Sequence, residues 1–251
     1  MITQKTAHRI GLIVPSSNVT METEIPALLR GRENILPEQF TFHSSRMRMK
    51  NVTKDELERM DDESVRCAVE LSDAAVDVQA YACLVAIMSR GKGYHRASSE
   101  RLHKASFANG LPAPVISSAG ALVEGLHELG AKKVSIICPY MKPLTKMVVD
   151  YIEHEGVEVQ DFLALEIPDN LKVAAQDPNA PVELWKKLDT KNIDAIIASA
   201  CVQMPSLPSI EKIEVASGIP TLSASVATTW DILRALDLSP QAPNGGALLK
   251  A

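Results

Sequence analysis

The stretches RIGLIVP at residues 9–15 and KVSIICP at residues 133–139 decide the fold. Each is a short apolar run that ends in proline and precedes a short loop and a helical pattern. Similar runs alternate with amphipathic stretches along the chain, which is typical of parallel strands covered by helices on both faces. The sequence therefore predicts an α/β protein.

A second pair of matching stretches indicates a duplicated unit. VDVQAYAC at residues 76–83 matches IDAIIASAC at residues 193–201, and each follows its proline-ended strand at a similar distance. Because order and spacing agree, we predict two α/β halves, each the size of one small domain. We expect residues 1–117 plus 219–251 to form the first half, including the C-terminal strand and helix, and residues 118–218 to form the second.

The composition argues against several classes of function. The chain has 251 residues, of which 46% are hydrophobic and 23% charged, and a formal net charge of -5, so neither nucleic acid nor an anionic membrane is an expected partner. No run approaches the roughly 20 apolar residues of a membrane span, and no signal peptide is evident, so we expect a cytoplasmic protein. GxGxxG, GxxxxGK[ST], CxxC and HxxxH patterns do not occur, so we expect no nucleotide, no metal and no cofactor.

The four cysteines are expected to be free thiols, and two of them are candidates for catalysis. Cys83 and Cys201 each fall near the end of a predicted strand, where open α/β sheets place ligands. A single free cysteine is usually a small buried hydrophobe, which is our prediction for Cys67 and Cys138. The equivalent placement of Cys83 and Cys201 in two repeats favours a reactive pair.

Three further residues are candidates for binding an anion. Asn18 lies in the loop PSSNVTME at residues 15–22, which is suited either to holding a carboxylate or to capping the next helix. Tyr140 occupies the matching loop of the second half and either donates its hydroxyl to an anion or is a surface aromatic. Asn170 either binds ligand or makes a turn. The basic cluster at Arg46, Arg48 and Lys50 is interpreted as a solvated edge.

These same residues carry a resemblance that extends over nearly the whole chain. The sequence resembles the maleate cis-trans isomerase family of the aspartate/glutamate racemase superfamily. The segments that carry the resemblance are IVPSSNVTMETEIP at 13–26, the stretch 42–48, YAC at 81–83, PY at 139–140, PDN at 168–170 and SAC at 199–201.

The resemblance implies two Rossmann-like parallel-sheet halves related by pseudo-twofold symmetry, with a small dicarboxylate bound between them and no cofactor. Cys83 matches the nucleophile and Cys201 its partner thiol, while Asn18, Tyr140 and Asn170 match positions that bind the two carboxylates. Thiolate addition to the double bond of maleate, rotation and expulsion would give fumarate. Val19 departs from the family pattern, which has threonine there, and would weaken the carboxylate site if that hydroxyl mattered.

Other interpretations of the sequence stay open. A two-cysteine amino-acid racemase of the aspartate/glutamate type would use the thiols to abstract and return a proton. A decarboxylase of substituted malonates needs only one cysteine, and a two-lobed ligand-binding protein would bury all four. A homodimeric state and a role in the breakdown of aromatic or pyridine rings are further expectations.

Overall fold

The structure is a computed structural model, and it describes residues 7–50 and 53–250. The strands and α-helices of the described residues are numbered in chain order. Their bounds are β1 (His8–Pro15), α1 (Met21–Arg32), β2 (Phe40–Met47), α2 (Lys54–Asp73), β3 (Val78–Tyr81), α3 (Leu84–Ser89), α4 (Tyr94–Ala108), β4 (Val115–Ser117), α5 (Ser118–Glu128), β5 (Lys133–Cys138), α6 (Lys142–His154), β6 (Glu158–Ala164), α7 (Asn170–Ala174), α8 (Pro181–Leu184), β7 (Ala195–Ser199), α9 (Ile210–Ser217), β8 (Thr221–Ser223) and α10 (Ala224–Ala235).

The strands form two four-stranded parallel sheets of the same topology. The order is β2-β1-β3-β4 in the first sheet and β6-β5-β7-β8 in the second. In each sheet the two central strands are almost wholly buried, which explains why their sequences are continuous apolar runs. The predicted α/β class is confirmed.

Equivalent polar residues directly precede β3 in the first sheet and β7 in the second. The Asp77 carboxylate accepts a hydrogen bond from the backbone N–H of Arg9, at 2.8 Å. The Asp194 carboxylate accepts the backbone N–H groups of Lys132 and Lys133, also at 2.8 Å. These aspartates occupy matching positions in the two repeats, so the duplicated sequence pattern corresponds to duplicated structure.

The C-terminal strand does not lie where we expected it. β8 pairs with β7 in the second sheet, so its assignment to the first half was wrong. The strand's sequence predicts that it is a strand but does not specify its neighbour. α10, which follows β8, packs on α1, β3 and β4. We therefore propose that only this C-terminal helix, and not the strand, is recruited by the first half.

A buried carboxylate joins the two halves near the functional loops. Glu24 of α1 is only 6% exposed. Its Oε1 accepts the backbone N–H groups of Ser206 and Leu207, and its Oε2 accepts the hydroxyl of Ser225. Burial raises the pKa of Glu24, although these hydrogen bonds partly oppose the effect. Glu24 thereby fixes α1 against the segment that follows β7 and against α10.

Candidate active site

Cys83 lies at a sharp turn between β3 and α3. Its φ of 117° is in the left-handed region, which is costly for a residue with a side chain and is often found where a fold positions a reactive group. The apolar run continues from β3 through Met88, but the structure ends the strand at Tyr81 and starts a helix at Leu84. This turn directs the thiol toward the gap between the halves.

Cys201 follows β7 in the second half, at the position that corresponds to Cys83. Its Sγ accepts the backbone N–H of Gln203 at 3.4 Å and also interacts with the hydroxyl of Tyr140. The Tyr140 hydroxyl donates to the carbonyl oxygen of Ala200 at 3.3 Å. Tyr140 is only 7% exposed, so it is part of the site and not a surface aromatic. Burial raises its pKa well above 10, which keeps the hydroxyl protonated as a donor.

The loop after β1 carries Asn18, which is 1% exposed. The Asn18 Oδ1 accepts the backbone N–H of Met21 at 3.0 Å and so caps α1. Its Nδ2 group is then available to donate to a ligand. Both of the roles considered from the sequence therefore fit this one side chain.

Positions 19 and 20 of this loop, where the family pattern has two threonines, have different roles in the structure. The Thr20 hydroxyl donates to the carbonyl oxygen of Gln203 at 2.7 Å and does not line the cavity. The Val19 side chain is half exposed. The departure from the family pattern at Val19 therefore places an apolar group at the surface and takes no hydroxyl out of the cavity wall.

Arg46 supports the same loop from outside, which the sequence did not indicate. Its guanidinium donates to the carbonyl oxygens of Ser16 and Asn18 and pairs with Glu22. β2, on which Arg46 lies, is an edge strand, as we inferred for the basic cluster. Arg46 is exposed, as expected of a solvated edge, and in addition its charge holds loop carbonyls.

Asn170 begins α7, and its side chain reaches across to the first half. Its Nδ2 donates to the hydroxyl of Ser17 at 2.7 Å. The turn that precedes it is made by Asp169, whose carboxylate accepts the N–H groups of Leu171 and Lys172. Asp169 therefore makes the turn, while Asn170 is left to face the site.

These five candidate residues surround one small buried cavity. The volume within the cavity that the centre of a water molecule can occupy is about 20 Å³. One water needs about 10–15 Å³ on this measure, so a four-carbon diacid does not fit without some opening. None of the lining residues, all of which lie in the described part of the chain, is charged: Pro15, Asn18, Met49, Cys83, Leu84, Val85, Tyr140, Asn170, Cys201, Val202 and Gln203.

Burial controls the ionisation of both thiols. It raises the pKa of Cys83 to about 12, although the backbone N–H groups of Ala86 and Val85 act in the opposite direction. Burial also raises the pKa of Cys201, where Tyr140 and the backbone of Gln203 lower it in part. Negative charge on Cys201 raises the pKa of Cys83 further, so the pair favours carrying at most one thiolate.

The other two cysteines lie in the core, as predicted. Cys67 on α2 and Cys138 on β5 are fully buried, and neither lines the cavity. Burial is also the main cause of the raised pKa of both thiols. Because these two thiols lie outside the cavity, only Cys83 and Cys201 remain candidates for catalytic residues.

Within residues 7–50 and 53–250, no group of three or more metal-ligating side chains is placed to hold a metal ion. In the same part of the chain, no helix has the length and apolar character needed to cross a bilayer.

Comparisons with known proteins identify the family of the chain. The model of the arylmalonate decarboxylase family matches residues 10–249. Maleate isomerase from Geobacillus stearothermophilus is 60% identical over 242 residues, which cover 96% of both chains. The maleate isomerase Iso from Pseudomonas putida S16, solved with maleate as a cysteine-to-alanine variant, is 60% identical with a TM-score of 0.96 and 97% coverage of both chains.

A further structure bears on the chemistry. It is a cysteine-to-serine mutant of Nocardia farcinica maleate cis-trans isomerase with a covalently bound succinylcysteine intermediate. That protein is 46% identical to this chain, with a TM-score of 0.93, and the match covers 97% of this chain and 98% of the other. The chain described here belongs to the arylmalonate decarboxylase family. Within that family it belongs with the maleate isomerases, which confirms the resemblance found in the sequence.

Proposed function

We propose that this protein converts maleate to fumarate by reversible addition of the Cys83 thiolate to the double bond, with Cys201 as the partner thiol. The observation that carries the proposal is the convergence of Cys83 and Cys201 on one buried cavity from equivalent positions in the two halves. The 60% identity to maleate isomerases and the succinylcysteine found in the Nocardia farcinica structure support it.

Neutral donors hold the dianionic substrate in this proposal. The amides of Asn18 and Asn170 and the hydroxyl of Tyr140 donate to the two carboxylates. Fixed dipoles of this kind also stabilise the charge that develops on a carboxylate when the neighbouring alkene carbon is attacked. The surface cleft of about 640 Å³ lined by Ser17, Lys50 and Asp169 shares Met49 with the cavity, and we infer that the substrate enters from there.

The reaction cycle balances with one thiolate and one thiol. The Cys83 thiolate forms a C–S bond to one alkene carbon, and the other carbon takes the proton of Cys201 as the double bond becomes single. The succinyl group then rotates about its C–C bond. The Cys201 thiolate removes the proton, the C–S bond breaks, and fumarate leaves while both cysteines return to their initial states.

The lack of an anionic side chain in the described cavity wall disfavours an amino-acid racemase. An amino acid brings an ammonium group, which needs a carboxylate or several acceptors when it is buried. The cavity wall, in the part of the chain that the structure describes, offers no anionic side chain. A dicarboxylate bound by amide and hydroxyl donors fits this wall better. A homodimeric state, a cytoplasmic location and a role in aromatic-ring breakdown stay predictions from the sequence.

The experiment is to mix the purified protein with maleate, add no cofactor, and follow the products by proton NMR. The proposal requires the vinyl signal of fumarate to appear at the expense of that of maleate. Unchanged maleate, together with exchange of the α-proton of aspartate in deuterium oxide, would identify the racemase instead.

A further inference from the structure

Gln203 is a residue of the cavity wall to which the sequence analysis assigned no role. It lies two residues after Cys201, is 2% exposed, and makes three side-chain hydrogen bonds. Its Nε2 donates to the carbonyl oxygens of Ser17 at 2.7 Å and of Asn170 at 3.0 Å. Its Oε1 accepts the backbone N–H of Val19 at 3.0 Å.

These three bonds end on the backbone around the two amides assigned to carboxylate binding. Ser17 and Val19 are the chain neighbours of Asn18, and the third bond ends on Asn170 itself. Asn18 belongs to the first half, whereas Asn170 and Gln203 belong to the second. One planar side-chain amide therefore ties both carboxylate-binding segments to each other across the gap between the halves.

The hydrogen bonds at position 203 match the side chain of glutamine. Two carbonyl oxygens need donors and one N–H needs an acceptor, and a primary amide supplies both kinds of group from one plane. Glutamate has the same length but no donor when ionised, methionine has neither group, and asparagine is one methylene shorter.

We propose that Gln203 is a positioning residue that fixes the separation of Asn18 and Asn170 and thereby selects diacids of four carbons. This inference rests on the proposed function, because it takes these two amides as the carboxylate ligands. Three hydrogen bonds of Gln203 hold the segments that carry these two amides, so a diacid that is shorter or longer by one carbon cannot reach both amides without loss of a bond at one end.

The test compares the binding of malonate, succinate and glutarate by calorimetry. These diacids have three, four and five carbons and no double bond, so binding is measured without turnover. The unaltered protein should bind succinate most tightly. Gln203→Met and Gln203→Glu should each reduce the preference for succinate by about tenfold or more, as expected when ordinary buried hydrogen bonds are lost at one end.

A matched control separates positioning from general destabilisation. Gln79 on β3 is also a buried glutamine, and its Nε2 donates to the carbonyl oxygen of Ala68 at 3.0 Å, but it does not line the cavity. Gln79→Met should lower the melting temperature and leave the succinate preference unchanged.

Three results would overturn the proposal. They are equal binding of all three acids by the unaltered protein, an unchanged preference in both Gln203 variants, and an equal loss of preference in Gln79→Met. Maleate turnover by the same unaltered preparation tests the proposed function separately, since a length preference that depends on Gln203 is measured whether or not maleate reacts.

Discussion

The side-chain amide of Asn170 donates a 2.7 Å hydrogen bond to the hydroxyl of Ser17, and this bond joins the two halves at the wall of the cavity. In the proposed reaction a substrate carboxylate replaces the Ser17 hydroxyl as the acceptor. An ionised acceptor strengthens such a bond, so the exchange favours binding.

We predict that Asn170→Ala lowers kcat/KM for maleate by about 10- to 100-fold, because a hydrogen bond to a charged group contributes about 1.5–3 kcal/mol. Ser17→Ala is the matched control, since it removes the partner of Asn170 without removing the amide, and it should change kcat/KM by less than about threefold. Steady-state kinetics measures both. A loss in Ser17→Ala as large as that in Asn170→Ala would contradict the assignment.

Replacement of Cys201 should interrupt the cycle after the C–S bond has formed. A serine hydroxyl is a much weaker acid than a thiol, and its alkoxide is not populated near neutral pH. Water must then supply the proton of the adduct and no thiolate is present to remove it, so we predict that Cys201→Ser lowers turnover by a factor on the order of a thousand. Mass spectrometry of the variant after incubation with maleate should show Cys83 heavier by one maleic acid molecule. Adduct formation at Cys67 or Cys138 instead, or unimpaired turnover, would argue against this role.

The raised pKa of Cys83 predicts a distinctive pH profile in the ligand-free protein. Because burial raises the pKa to about 12, the thiol is neutral over the ordinary pH range, and its thiolate fraction grows about tenfold for each unit of pH. Alkylation of Cys83 by iodoacetamide, followed by peptide mass spectrometry, should therefore keep accelerating up to pH 9.5. A rate that levels off by pH 9.5 would show a thiol of ordinary or lowered pKa.

Glu24 should make the protein less stable as the pH rises. Its pKa in the folded state lies above 4.5, so the folded protein holds the proton while the unfolded chain releases it. The contribution of Glu24 to the free energy of unfolding is therefore fully present below pH 4.5. It is lost as the pH rises through the raised pKa of Glu24 in the folded protein.

Glu24→Gln removes this titration and retains an oxygen for the N–H groups of Ser206 and Leu207. The free energy of unfolding of this variant, relative to the unaltered protein, should increase from pH 4.5 toward neutral in urea titrations. A difference that is independent of pH would contradict the raised pKa.

The repeat of strands and cysteines was readable from the sequence because buried parallel strands require continuous apolar runs. Other elements were not assigned, and α4 shows why. Its buried side chains are mostly small or polar, namely His95, Ser98, Leu102 and Ser106, so no apolar period marks the helix. The end of β3 was ambiguous for the opposite reason, since Leu84–Met88 are all buried and an apolar run does not distinguish strand from helix.

The site residues Cys83, Cys201, Asn18, Tyr140 and Asn170 line one cavity, and each lies in a loop that follows a strand or begins a helix. Gln203 was not singled out, and the role of Arg46 was missed, because their partners are backbone groups distant in sequence. A glutamine in a loop or an arginine on an edge strand has no pattern that specifies such contacts.

The most direct test of the account is maleate isomerisation by Cys83→Ala beside Cys67→Ala, followed by proton NMR. Both variants remove one buried thiol from the first half, but only Cys83 lines the cavity. We predict no detectable fumarate with Cys83→Ala and a rate within about threefold of the unaltered protein with Cys67→Ala, because Cys67 lies outside the site. Near-normal fumarate formation by a folded Cys83→Ala protein would contradict the proposed mechanism.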